Sequence, residues 1–114
     1  MTAPYVPDRG DLVWINLDPQ AGHEQAGRRP ALVLSPRAYN GLPRHLAILC
    51  PLTTKVKGYP FEVAVPPDSG ATGVIIADQV RSVDWIARRA ERLGHAPEAT
   101  IRDVLALIAA LVGI

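Results

Sequence analysis

Short apolar segments, each cut off by proline or glycine, limit what this chain can fold into more than any other feature. Leu12–Leu17 is stopped by Asp18 and Pro19, Pro30–Leu34 by Ser35 and Pro36, Leu46–Cys50 by Pro51 to Thr54, and Phe61–Val65 by Pro66 to Gly70. A further apolar run, Gly73–Ala77, leads into the alternating Asp78–Val83. Prolines at this spacing exclude long helices, since each removes an N–H and clashes with the preceding turn. Strands of about five residues joined by turns accommodate them. The 11 prolines and 9 glycines in 114 residues therefore predict a small, strongly bent β-sheet or barrel. Within it Leu46–Cys50 lacks polar alternation and reads as a central strand covered on both faces.

The pattern changes after Asp84. Trp85–Leu93 has few β-branched residues and is compatible with strand or helix. Pro97 and Glu98 then open a helix, proline suiting the first turn and glutamate the positive end of the helix dipole. Ile101, Val104, Leu105, Ile108, Leu111 and Val112 follow at helical spacing. Ala106, Leu107, Ala109 and Ala110 widen the apolar surface beyond one contact face, so the helix is either deeply packed or shared with another subunit. At this length the whole chain, residues 1–114, reads as a single mainly β (α+β) domain.

Few kinds of chemistry fit the remaining residues. His23, His45 and His95 are scattered without metal-ligand spacing, so no metal or other cofactor is expected. There is no phosphate-cradling Gly-x-x-x-x-Gly-Lys-Ser/Thr loop and no Gly-x-Ser-x-Gly elbow. The lone cysteine, Cys50, lies in an apolar run and reads as a small buried hydrophobe in a reducing compartment. The N-terminal residues carry no leader pattern, and no apolar run approaches bilayer length. A cytoplasmic protein without a membrane partner is expected. A net charge of +1 says little by itself about partners.

Charge placement says more. The stretch Gly22–Ser35 sets a polar, glycine-punctuated loop before Arg28 and Arg29, then enters an apolar strand through Pro30. Proline is tolerated at the first residue of a strand and biases Arg29 toward an extended backbone. Arg29 is thus placed at a strand mouth, suited to an anionic substrate, although a solvated surface arginine fits the same pattern. The loop from Gln20 to Arg29 is long for a compact β domain, and such loops often carry function. Thr53 lies at the end of another strand.

Several motifs in order resemble the MazF (MazF/PemK) family of toxin endoribonucleases. They are Tyr5 to Asp11, Trp14, Asp18-Pro19, Gly22 to Pro36, Tyr39-Asn40, Pro51-Leu-Thr-Thr54, Lys57 to Glu62, and Ala77 to Ser82 with Trp85. The resemblance implies a compact SH3-like β-barrel with a C-terminal α-helix, working as a homodimer. It implies metal-independent cleavage of single-stranded RNA at short motifs, and neutralisation by a MazE-type antitoxin. Arg29 and Thr53 carry over as the catalytic pair. His23 and the doubled arginine at Arg28 depart from the family pattern.

In such a reaction the ribose 2′-hydroxyl attacks the phosphate, leaving a 2′,3′-cyclic phosphate and a 5′-hydroxyl. The Arg29 guanidinium can hold two phosphoryl oxygens, and the Thr53 hydroxyl can donate to the same group. His23 and Glu24 are candidate proton acceptors, and Glu24 and Gln25 substrate contacts. Lys57, Arg81 and Arg88 are candidates for phosphate contacts, and Asn40, Gln79 and Ser82 for base-edge hydrogen bonds. Trp14 either edges the groove or packs. A basic groove would also attract an acidic, disordered antitoxin tail. The alternative function is a non-nuclease toxin of the same fold that binds a protein target such as DNA gyrase.

Overall fold

The computed structural model describes residues 4–18 and 22–114. The stop expected at Pro19 and the loop start at Gln20 lie outside the described residues. Seven antiparallel strands form one bent sheet: β1 (Asp11–Asn16), β2 (Arg28–Val33), β3 (Leu46–Thr53), β4 (Glu62–Ala64), β5 (Val74–Ile76), β6 (Arg81–Asp84) and β7 (Glu91–His95). Their order is β4-β5-β3-β2-β1-β7, with β6 also paired to β3. A short helix, α1 (Arg37–Asn40), and a 3-10 turn, Ala77–Gln79, interrupt the strands, and α2 (Glu98–Leu111) closes the chain. No helix among the described residues is long and apolar enough to cross a membrane.

Strand alternation sorts the core into two faces. Leu12, Leu32, Cys50, Leu52 and Ile75 pack with Ile101 and Val104 of α2. Val13, Ile15, Ala31, Val33, Leu49 and Val83 pack with Trp85 on the other side. The Cys50 thiol is buried toward the Ala77 carbonyl, and burial pushes it up to about 12. The sheet bends far enough for the His95 N–H to donate to the Ser69 carbonyl at 3.1 Å. That close approach needs Gly94, where a Cβ would strike the Ser69 carbonyl.

β3 is the hub, and it departs from the sequence expectation twice. It runs through Pro51 to Thr53 instead of ending at Cys50. Leu46 to Leu49 pair with β6 along one edge, and Leu52 and Thr53 pair with β5 further on. Pro51 falls in the gap between them, where no neighbouring strand needs its missing N–H. Nor is β3 covered on both faces throughout, because Ile48 is 39% exposed.

Pro30 shows the same logic. It sits inside β2, opposite Trp14, and not at the first residue. The β2–β3 ladder runs from Val33↔Leu49 only to Ala31↔Pro51, since Pro30 has no N–H to carry it further. The two strands therefore part just where Arg29 and Thr53 begin.

Trp85–Leu93 resolves into a turn followed by a strand. Asp84 Oδ1 accepts the N–H groups of Ile86 and Ala87, Arg89 takes a left-handed backbone with φ 59°, and Glu91 onward pairs with β1. The α2 helix begins at Glu98, after Pro97, and buries Thr100, Ile101 and Val104. Its last residue Leu111, and Val112 and Ile114 beyond it, stay exposed, so deep packing holds only for the first half.

Candidate active site

Ala31 faces Pro51 in the last pair of the β2–β3 ladder, and Arg29 and Thr53 stand just beyond it, lining one cleft together. Both side chains leave the sheet on the same side, at its splayed end. Arg29 is held from behind: Nε donates to the Ala26 carbonyl at 2.7 Å and Nη1 to the Leu52 carbonyl at 3.4 Å. The second bond follows from Pro30, which cannot donate to the carbonyl of Leu52 across the ladder. Arg29 has no carboxylate partner among the described residues, so its outward N–H groups and full charge face the cleft.

Thr53 is nearly buried. Its Oγ1 accepts the Lys55 N–H at 3.1 Å, which leaves the hydroxyl hydrogen to donate outward. Its backbone is fixed by a close approach: Gly73, at φ +109°, lies where an added Cβ would be 2.3 Å from the Thr53 carbonyl oxygen.

The cleft in front of this pair has a volume of about 720 Å³. One wall is the loop bearing His23, Glu24 and Gln25; the other carries Lys55, Lys57, Tyr59 and Phe61. The second wall is organised by Glu62, whose carboxylate accepts the Gly58 N–H at 2.9 Å and the Lys57 N–H at 3.2 Å. The Tyr59 and Phe61 rings lie 5.2 Å apart, and the Lys57 ammonium stands 5.9 Å from the Tyr59 centroid. Tyr59 is exposed and Phe61 half-buried, and basic groups beside an exposed ring are what single-stranded nucleic acid engages. In the sequence Tyr59 and Phe61 are unremarked members of the Lys57–Glu62 motif, and their spacing on either side of Pro60 is the signal that marks them.

Gln79 holds the first wall. Its Oε1 accepts the Gln25 N–H at 2.9 Å and its Nε2 donates to the His23 carbonyl at 3.4 Å. The loop it clasps ends at Ala26, whose carbonyl orients Arg29. Glu24 Oε2 stands 3.7 Å from Arg81 Nη1. Gln79→Ala should therefore free this loop, and the Gln25 N–H should exchange with solvent about tenfold faster by hydrogen exchange; unchanged exchange would mean that the clasp does not hold the loop.

Four expected contacts are not brought to this cleft; Arg81 is the first, standing outside its lining against Glu24. Asn40 is fully buried: its amide donates to the carbonyls of Pro7 and Ser35 at 2.8 and 2.9 Å, its Oδ1 accepts the Ser35 hydroxyl, and its backbone carbonyl accepts the Trp85 indole N–H at 2.8 Å. It locks α1 to the barrel and has no group left for a base. Arg88 donates to the carbonyls of Asn16 and Asp18, both at 3.1 Å, and so clasps the turn after β6 to the end of β1. Ser82 lies on β6 opposite Ile48, away from the cleft lining. Among the described residues no group of three His, Cys, Asp or Glu side chains could hold a metal ion.

Residues 8–112 match the family model described as PemK-like, MazF-like toxin of type II toxin-antitoxin system. The chain is 45% identical over 113 residues to the endoribonuclease toxin MazF of Escherichia coli K12, covering 99% of this chain and all of the relative. The crystal structure of MazF (Form-I) from Deinococcus radiodurans superimposes with a TM-score of 0.93 at 55% identity, covering 97% of this chain and 100% of that one. A MazE-MazF structure (Form-II) from the same organism gives 0.87 at 55% identity, with 97% and 99% covered.

Proposed function

This chain belongs to the PemK-like, MazF-like toxins of type II toxin-antitoxin systems, and from that membership we propose that it is an endoribonuclease that cuts single-stranded RNA at short motifs without a metal. One observation carries the assignment of the site. Arg29, anchored by two backbone carbonyls and lacking a counter-ion among the described residues, shares the splayed sheet end with the Thr53 hydroxyl.

In the proposed reaction the 2′-hydroxyl gives up its proton as its oxygen bonds to phosphorus, the bond from phosphorus to the 5′-oxygen breaks, and the departing oxygen takes up a proton in turn. Negative charge grows on the non-bridging oxygens in between. Arg29 answers it with a forked, permanently charged donor, and Thr53 adds a second donor. Glu24 and Gln25 contact the substrate from the loop wall, Lys57 from the opposite wall, and Arg81 acts through its ion pair with Glu24. Single-domain action in the cytoplasm, inhibition of growth through messenger RNA, and neutralisation by a MazE-type antitoxin belong to the same reading. So does a homodimer, supported by the exposed apolar side chains Leu42, Ile48 and Ile86.

Incubation of the purified protein with a long RNA in excess EDTA tests the assignment. Cleavage at a recurring short motif, with 5′-hydroxyl and cyclic-phosphate ends, is the expected result. No cleavage by folded protein, or cleavage only with a divalent metal, would overturn it and leave a protein-binding toxin as the reading.

A further inference from the structure

The sheet face that α2 covers at Leu12 and Leu32 continues past the end of that cover, at Trp14 and Pro30, into a second cleft of about 630 Å³. Its lining mixes an apolar part, Trp14 and Pro30 on paired strands with Leu52, Ala71 and Leu93 around them, with threonines and Arg28 and Arg29 at its edge. Arg29 and Thr53 line this cleft and the first one alike, so the proposed catalytic pair stands at the seam between two binding spaces.

Trp14 is 38% exposed, and among the described residues its indole has no hydrogen-bond partner. Trp85, by contrast, is buried and bonded through its indole N–H. The charge of this second space is settled internally. Arg28 pairs with Glu91 at 2.8 Å and donates to the Arg89 carbonyl at 2.9 Å, leaving Arg29 at the seam as the one lining cation free of a carboxylate among the described residues. Such a space disfavours phosphate and suits a flat, weakly charged group.

A polymer supplies that group. An RNA strand with its reacting phosphate at Arg29 and Thr53 must continue in both directions, and the structure offers two ways out. One passes the basic wall and the rings of Tyr59 and Phe61; the other passes Trp14. We propose that the second cleft is a nucleobase subsite, in which the base on one flank of the cleaved bond stacks on the Trp14 indole. The proposal rests on the ribonuclease reading above and extends it from the bond cut to the length of RNA held.

The test is a cycle between protein and substrate, using oligonucleotides that contain the cleaved motif and are trimmed one nucleotide at a time from either end. Trp14→Ala should reduce kcat/KM on the full-length oligonucleotide roughly ten- to hundred-fold. Trimming the base that occupies the cleft should cost the native protein a similar factor and cost Trp14→Ala nothing more. Trp14→Phe should recover most of the loss. Thr72→Glu, at an exposed position on the cleft rim, should weaken the same oligonucleotides through repulsion without disturbing the core. Thermal melts establish that each variant is folded. If Trp14→Ala cuts every length at the native rate, or loses equally from trimming at both ends, the subsite is refuted while the ribonuclease reading stands. Normal cutting by Trp14→Ala combined with loss of antitoxin binding would assign the cleft to a protein partner and refute it as well. A native protein that cuts no RNA of any length would remove both.

Discussion

Arg29→Ala yields a folded protein that cuts RNA at least about 1,000-fold more slowly than the native chain, measured as single-turnover cleavage in EDTA. The size of the effect follows from how the side chain is held. Two carbonyls grip the guanidinium from behind, so it is already oriented when substrate arrives, and no carboxylate among the described residues competes for it. Arg29→Lys separates charge from geometry. A lysine keeps the charge but can neither fork across two phosphoryl oxygens nor hold both carbonyls while doing so, and it should restore only a small part of the rate. Loss of the two backbone bonds costs stability by about 1–2 kcal/mol, too little to unfold an ordinary domain of this size. Thr53→Val, which keeps the shape and removes the donor, should cost about 100-fold by the same assay. Near-native cleavage by folded Arg29→Ala would move the chemistry elsewhere.

Gly73→Ala should destabilise the fold and the site together. Two effects combine there: a left-handed φ of +109°, which a side chain rarely tolerates, and a Cβ placed 2.3 Å from the Thr53 carbonyl oxygen. Backbone on both sides must shift, at a cost on the order of 3 kcal/mol. For a domain of this size that lowers the melting temperature by roughly 10 °C. The shift acts on Thr53 directly, so whatever folded protein remains below the transition should also cleave slowly. A melt and a rate measured on the same preparation separate the two effects. An unchanged melting temperature would mean that the approach of Gly73 to Thr53 is not tight in solution.

How much of this was legible in the sequence depends on whether a residue's role is local. Proline and glycine spacing predicted a small, strongly bent β-sheet or barrel, and Pro97-Glu98 marked the start of the terminal helix, because turns and caps are decided by neighbours in the chain. The placement of Pro30 and Pro51 was not local. Both lie inside strands, and what makes them tolerable there is which edge their missing N–H would have faced, a property of partners up to dozens of residues away. Trp85–Leu93 stayed ambiguous for the same reason, since Glu91 to His95 become a strand by pairing with β1 and not by composition.

At the site, Arg29 and Thr53 were named together only through the family resemblance; the cleft they share now supplies a physical ground for pairing them. Asn40 and Arg88 read as surface contacts because they are polar and lie near motif residues. Their actual partners, Pro7, Ser35 and Trp85 for one and Asn16 and Asp18 for the other, come from segments that only the folded chain brings close.

The position of β3 as hub carries a consequence for synthesis. Arg29 and Thr53 both leave the ribosome in the first half of the chain, but neither is yet supported. The glycine that fixes Thr53 and the β5 strand that pairs with it follow some twenty residues later. Gln79, which clasps the loop leading to Arg29, comes later still, and the α2 side chains that cover the Cys50 and Leu52 face come last. Long-range pairing of this kind cannot form ahead of its later partners. A nascent chain therefore exposes the Arg29 and Thr53 side chains well before it can align them. The site proposed for RNA cleavage is in this way not assembled while the chain is still attached to the ribosome.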